Sequence, residues 1–183
     1  CYGSVVAPMN LGAGGWSWPG GGAIVLTVAG QTRQDGFLCA DGGGGGAYYG
    51  GAGGTINIQS GTLVGTGTNQ ANAGSLGGLG WCGGGGGRIA LVVTNAGADL
   101  SGFTGLTTAY GIAQGGAGTI YLRTAAQGTH EGTLIVDNNI NPVDATEIGP
   151  YVTDAEVGNV VIRNKGYLLV QSDTTLTVSG TWS

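Results

Sequence analysis

The chain has 183 residues, 43 of them glycine, and only 8% are charged. Five basic residues against ten acidic ones give a net charge of −5, which argues against a nucleic-acid partner, because phosphate binding needs a basic stripe. That much glycine ordinarily marks disordered chain, but 41% hydrophobic residues supply apolar surface to oppose the entropy of ordering, so a folded domain is expected.

The chain opens at Cys1 with no secretory leader pattern and closes at Trp182-Ser183 in a strand-like pattern. It reads as a mature or excised piece of something longer. No apolar run approaches the ~20 residues of a membrane span, so none is expected. Cysteine is present three times, an odd count. Cys39 and Cys82 are a candidate pair, which leaves Cys1 for a partner outside the chain, for acylation, or as a free thiol. Low charge and abundant Gly, Thr, Ser and Asn suit an extracellular or cell-surface setting, where disulfides survive.

The first elements announce an internal repeat. Gly21-Gly22-Ala23-Ile24-Val25-Leu26 is followed by Gly53-Gly54-Thr55-Ile56-Asn57-Ile58, by Gly86-Gly87-Arg88-Ile89-Ala90-Leu91 and by Ala117-Gly118-Thr119-Ile120-Tyr121-Leu122. The apolar anchors at 24, 56, 89 and 120 are 32, 33 and 31 residues apart. Within each unit a second landmark recurs: Leu38-Cys39-Ala40-Asp41-Gly42, then Asn69-Gln70-Ala71-Asn72-Ala73, then Thr107-Thr108-Ala109-Tyr110-Gly111. Apolar residues alternate with the period of two of a strand. A unit therefore reads as strand, turn, second strand and glycine-rich return, stacked in parallel on the unit before it.

The glycine-rich returns Gly42–Gly46, Gly83–Gly87 and Gly111–Gly118 receive a structural role in this reading. Bare backbone can adopt extended, polyproline-II-like geometry, approach a neighbour closely and hydrogen-bond to it. Five such residues cover about 15 Å, a plausible width for one face of a solenoid. The alternative is that they are surface loops. The predicted fold class is all-β, a parallel β-helix or solenoid with interleaved polyglycine-II-like segments.

Composition changes near residue 130. Residues 1–130 hold 38 glycines and three acids, and residues 131–183 hold five glycines and seven acids. We divide the chain there into a glycine-rich solenoid of ~32-residue repeats and further coils of ordinary composition. Leu134-Ile135-Val136, Val160-Val161-Ile162, Leu168-Leu169-Val170 and Leu176-Thr177-Val178 are its strands, Asn164-Lys165-Gly166 is a turn, and Asp137–Glu156 is a loop excursion.

The runs GGGAIVLTVAG, GGAGGTINIQSGTLVGTGTNQANAG and GGGGGRIALVV, continued by AGTIYLR, GTLIVDNN and LLVQSDTTLTVSGT, resemble a glycine-rich repeat of large secreted bacterial surface proteins. The resemblance covers nearly everything from about residue 7. It implies a parallel β-helix within a long extracellular polypeptide. Cysteines at 39 and 82, and a shortened serine-glycine tract before Ala23, depart from that pattern and point to a specialised, cross-linked member. A remoter likeness, attributable to convergent packing, is to the glycine-rich extracellular domain of anaplastic lymphoma kinase.

Signatures of chemistry are sparse. His130 beside Glu131 is the only histidine, and no metal-protease, paired-cysteine or phosphate-loop motif occurs. The calcium nonapeptide of β-rolls needs Asp after the glycines, where positions 55, 88 and 119 are Thr, Arg and Thr. Neither a metal nor a cofactor is expected, although Asp144, Glu147, Asp154 and Glu156 leave a carboxylate site conceivable. Asp35 and Asp41, with Arg33 and Arg88, are the candidates for a polysaccharide-cleaving site, with Arg88 also read as a carbonyl cap or a partner for Asp41. Trp16, Trp18, Tyr48, Tyr49 and Trp81 flank glycine stretches, where they either form an exposed binding platform or lie flat on the glycine backbone. The expected function is a non-enzymatic structural module of an adhesin, sheath or filament that associates with itself or with neighbouring modules. A glycan- or receptor-binding module is the alternative, and a polysaccharide-degrading enzyme the third reading.

Overall fold

The computed structural model describes residues 3–16, 18–45, 50–75, 83–141 and 144–183. Cys1, Tyr48, Tyr49, Trp81 and Cys82, named above as binding or disulfide candidates, lie outside the described residues. All regular structure among the described residues is β, in keeping with the glycine content, since each glycine costs a helix about 1 kcal/mol.

Four long strands carry the repeat anchors: β1 (Ala23–Arg33), β3 (Thr55–Val64), β5 (Arg88–Val93) and β7 (Thr119–Arg123). They pair in parallel, with Ile24 opposite Ile56, Ile56 opposite Ile89 and Ile89 opposite Ile120. Three short strands, β2 (Phe37–Cys39), β4 (Thr68–Gln70) and β6 (Leu106–Thr108), form a second parallel sheet in which Leu38, Asn69 and Thr107 share one register position. The residue after each short strand is a buried alanine: Ala40, Ala71 and Ala109. Its carbonyl accepts an N–H from the glycine just before the next long strand, at 2.7 Å from Gly54, 2.7 Å from Gly87 and 2.6 Å from Gly118.

Between the two sheets lies one core, built on Ile56, Ile58, Leu63, Ile89, Leu91, Val93 and Ile120. The opposite face of the large sheet carries a second core, in which Ala90, Val92 and Tyr121 meet Val5 and Val6 of the amino-terminal segment and Leu134, Ile148, Val157 and Val160. β5 is buried at all six positions because alternate side chains enter alternate cores.

Glycine-rich segments outside the two sheets bond to one another through their backbones. Gly43 donates to the carbonyl of Pro19 at 2.8 Å, Gly51 to Gly43 at 2.9 Å and Gly74 to Gly51 at 2.9 Å. Gly53 donates to Gly85 at 2.9 Å and Gly86 to Gly116 at 3.0 Å. The approach is too close for side chains. A Cβ on Gly74 would overlap the Gly43 carbonyl oxygen, and one on Gly84 would overlap that of Gly51.

After β7 the architecture departs from the simple stack. β8 (Thr133–Asp137) pairs with β7 antiparallel, so the direction of the chain reverses through residues 124–132. Tyr121 anchors this reversal: its hydroxyl donates to the Thr129 carbonyl at 2.7 Å and accepts the Gly132 N–H at 2.9 Å. Beyond it come β9 (Thr146–Ile148), β10 (Glu156–Val157), β11 (Asn159–Arg163), β12 (Leu168–Val170) and β13 (Thr177–Val178). They pair in parallel as β8 with β11, β9 with β12 and β10 with β13. The expected excursion over residues 137–156 thus contains a paired strand. Uninterrupted parallel stacking to the end of the chain is broken at the β7–β8 turn. The sheets are several and small, the largest is mixed, and none closes on itself.

Candidate functional site

The large sheet continues past β7 into β8 and β11, but among the described residues the small sheet stops at β6. The place that a fourth short strand would occupy is a cleft. Its polar end, about 230 Å³, is lined by Leu106, Thr107, Thr108 and Tyr110 on one side and by Asp137, Asn139, Arg163 and Asn164 on the other, with Ile120 between them. Its apolar end, about 260 Å³, runs along Leu91, Phe103, Leu122 and Ile135 and shares Leu106, Thr107, Ile120 and Arg163 with the first.

β6 positions one wall. Leu106 N–H and Thr108 C=O bond toward β4, the first to Gly67 at 3.0 Å and the second from Ala71 at 2.9 Å. Alternate residues of a parallel strand face opposite neighbours, so the backbone N–H and C=O of Thr107 are on the open edge. Two stacked turns make the other wall. Asp137 opposes Arg163 in the β8–β11 register, and each is followed by residues with positive φ: Asn139 at 48° and Ile140 at 61°, then Asn164 at 49° and Lys165 at 61°. Asparagine tolerates this region better than most residues, whereas Ile140 does not and is held there by the Ile140 N–H to Asn164 carbonyl bond of 3.0 Å.

Asp137 organises that wall. Its carboxylate accepts Arg163 Nε at 2.7 Å, Asn139 N at 2.9 Å and Asn164 Nδ2 at 3.1 Å. Burial alone would raise its pKa, but the Asn139 N–H, Arg163 and Asn164 together outweigh that and hold it below the ordinary carboxylate range. Charge in the cleft is therefore balanced, one carboxylate against one guanidinium.

The residues singled out from sequence lie elsewhere. Trp16 is 89% exposed, whereas Trp18 is half-buried, with its ring over Gly45. Asp35 pairs with Arg33 at 2.5 Å and accepts Thr66 N–H at 3.1 Å. Asp41 accepts Gln70 Nε2 at 2.5 Å and Asn72 N–H at 2.6 Å. Both carboxylates thus tie one repeat to the backbone of the next, and neither lines the cleft. Arg88 is buried and donates to the Asn10 carbonyl at 3.2 Å, a carbonyl-capping contact. Glu131 accepts Gly128 N–H at 2.6 Å beside His130. In the tail, Asp154 holds Ser4 and the Val5 N–H, Glu147 accepts Gln171 Nε2 at 2.7 Å, and Asp144 accepts the N–H of Ala145 at 2.8 Å. No cluster of three or more metal-ligating side chains occurs among the described residues. Cys39 is exposed overall and forms no disulfide among the described residues, and partial desolvation of its thiol raises its pKa.

The cleft residues were not singled out from the sequence because they come from β6 and from two turns 26 residues apart. The available signal was the pair Asp137-Asn138-Asn139 and Arg163-Asn164-Lys165, two polar turns that each follow an apolar strand. No known protein family, curated protein or solved structure matches this chain.

Proposed function

We propose that this chain is a structural module of an extracellular or cell-surface polypeptide, built as a β-solenoid whose third side is filled by polyglycine-II-like ribs, and that it associates through its open sheet edge. The observation that carries the reading is the in-register column Ile24–Ile56–Ile89–Ile120 together with the state of β1 at its head. β1 is an eleven-residue edge strand without a charge before Arg33. Thr55 N–H bonds to Gly22 C=O at 2.9 Å, which places the alternate groups of Val25 and Thr27 on the open side. Val25 is 47% exposed and Phe37, at the edge of the small sheet, 60% exposed. Long uncharged edges are templates for strand addition, and natural monomers usually protect them with lysine or proline.

The test is analytical ultracentrifugation of the purified chain over a wide concentration range, with and without reductant, beside a Val25→Lys variant. We expect concentration-dependent association that the lysine weakens while the melting temperature stays close to that of the parent. A monomer at every concentration overturns the reading.

A further inference from the structure

We infer that the polar end of the cleft between β6 and the β8–β11 turns is a binding site for a neutral monosaccharide unit, distinct from the tryptophans that flank the glycine segments. Three features of the cleft carry this.

The first is amphipathicity in the pattern a pyranose presents. A sugar ring offers hydroxyls around its rim and C–H groups on its faces. The cleft offers Leu106, Ile120 and the half-buried Tyr110 beside Thr107, Thr108, Asn139 and Arg163. The second is hydrogen-bonding capacity not used internally. Arg163 reaches Asp137 through Nε, and its Nη groups make no hydrogen bond among the described residues; the same holds for the Asn139 side-chain amide. Thr107 adds one backbone donor and one acceptor on the open edge. Planar polar groups of this kind suit hydroxyls, which donate and accept at once. The third is preorganisation. Asp137 fixes Arg163 and Asn164 in place, and the two turns hold four consecutive-pair residues at positive φ, a conformation that costs free energy and that clusters at binding sites.

Size and charge narrow the ligand. At about 230 Å³ the polar end lies below the roughly 300–1,000 Å³ of pockets for drug-sized ligands, so the polar end itself takes one ring. The Asp137–Arg163 pair cancels its own charge, which favours a neutral sugar over a uronic acid or sulfated one. Asp137 is a positioning residue here; Arg163, Asn139 and Thr107 are the groups that touch the ligand.

Saturation-transfer NMR with the methyl glycosides of glucose, galactose, mannose and N-acetylglucosamine tests the site on the whole chain. We expect transfer to the ring C–H protons of at least one of them. Leu106→Trp, at a residue 59% exposed, fills the cleft and should abolish the signal without unfolding the chain. Asn139→Gly keeps the positive φ that glycine adopts freely, removes only the amide, and should weaken binding about tenfold. Trp16→Ala should leave it unchanged. Absence of transfer from all four glycosides, persistence of the signal in folded Leu106→Trp, or its loss in Trp16→Ala overturns the assignment. Because the readout is ligand binding, its failure leaves the association measured by sedimentation untouched.

Discussion

Asn72 does for Tyr110 what Asp41 does for Asn72. Asp41 Oδ1 accepts the Asn72 N–H at 2.6 Å, and Asn72 Oδ1 accepts the Tyr110 N–H at 3.0 Å, so one repeat's corner side chain satisfies the next repeat's backbone. Asn138 closes the series by accepting the Gly111 N–H at 2.8 Å. Asn72 is 2% exposed, so its loss cannot be made good by bulk water. We expect Asn72→Ala to destabilise the fold by about 1–3 kcal/mol, the cost of a buried donor left without an acceptor. The shift of the urea midpoint at unchanged slope measures it, and a change below about 0.5 kcal/mol, the range of neutral surface substitutions, contradicts the corner role.

The glycine ribs make a prediction that separates packing from composition. A Cβ on Gly84 collides with the backbone of Gly51, whereas one on Gly22 meets no atom within 4 Å. Gly84→Ala should therefore cost about 1–3 kcal/mol through overpacking, while Gly22→Ala should be neutral within about 0.5 kcal/mol. Thermal melting of the two variants side by side provides the comparison. Equal behaviour would mean that the ribs are not packed as described.

Asp137 gives a pH dependence of known sign. Its folded-state pKa lies below the ordinary value of 3.8, so the folded state binds its proton less readily than the unfolded chain. Its contribution is complete above that ordinary value and is lost as pH falls through the lowered folded value. In stability measured from neutral to strongly acidic pH, Asp137→Asn should show a shallower loss than the parent below the ordinary value, and parallel curves would contradict the assignment.

Much of the stack was legible because two independent landmarks repeat. The anchors at 24, 56, 89 and 120 are register partners, and so are the second landmarks at 38, 69 and 107. Spacing constrains register strongly when one face must be buried. The reversal after Arg123 was not legible. Ala125–Gly132 reads as polar turn either way, and in the fold it is tied down by Tyr121, whose hydroxyl bonds into that turn from a strand position that alone reads as ordinary apolar filling. The cleft escaped notice for a related reason. It lies beside β6, past which the small sheet has no further strand among the described residues, and periodicity reports only strands that are present.

β5 has a consequence for how the molecule comes apart. Because Ile89, Leu91 and Val93 serve one core while Ala90 and Val92 serve the other, neither half can lose its packing and leave that ribbon intact for its neighbour. Melting should be shared between the glycine-rich repeats and the acidic tail as one cooperative event, and a protease cut near residue 130 would release no independently stable fragment. The boundary that composition draws so sharply would then be, in folding terms, a seam stitched through from both sides.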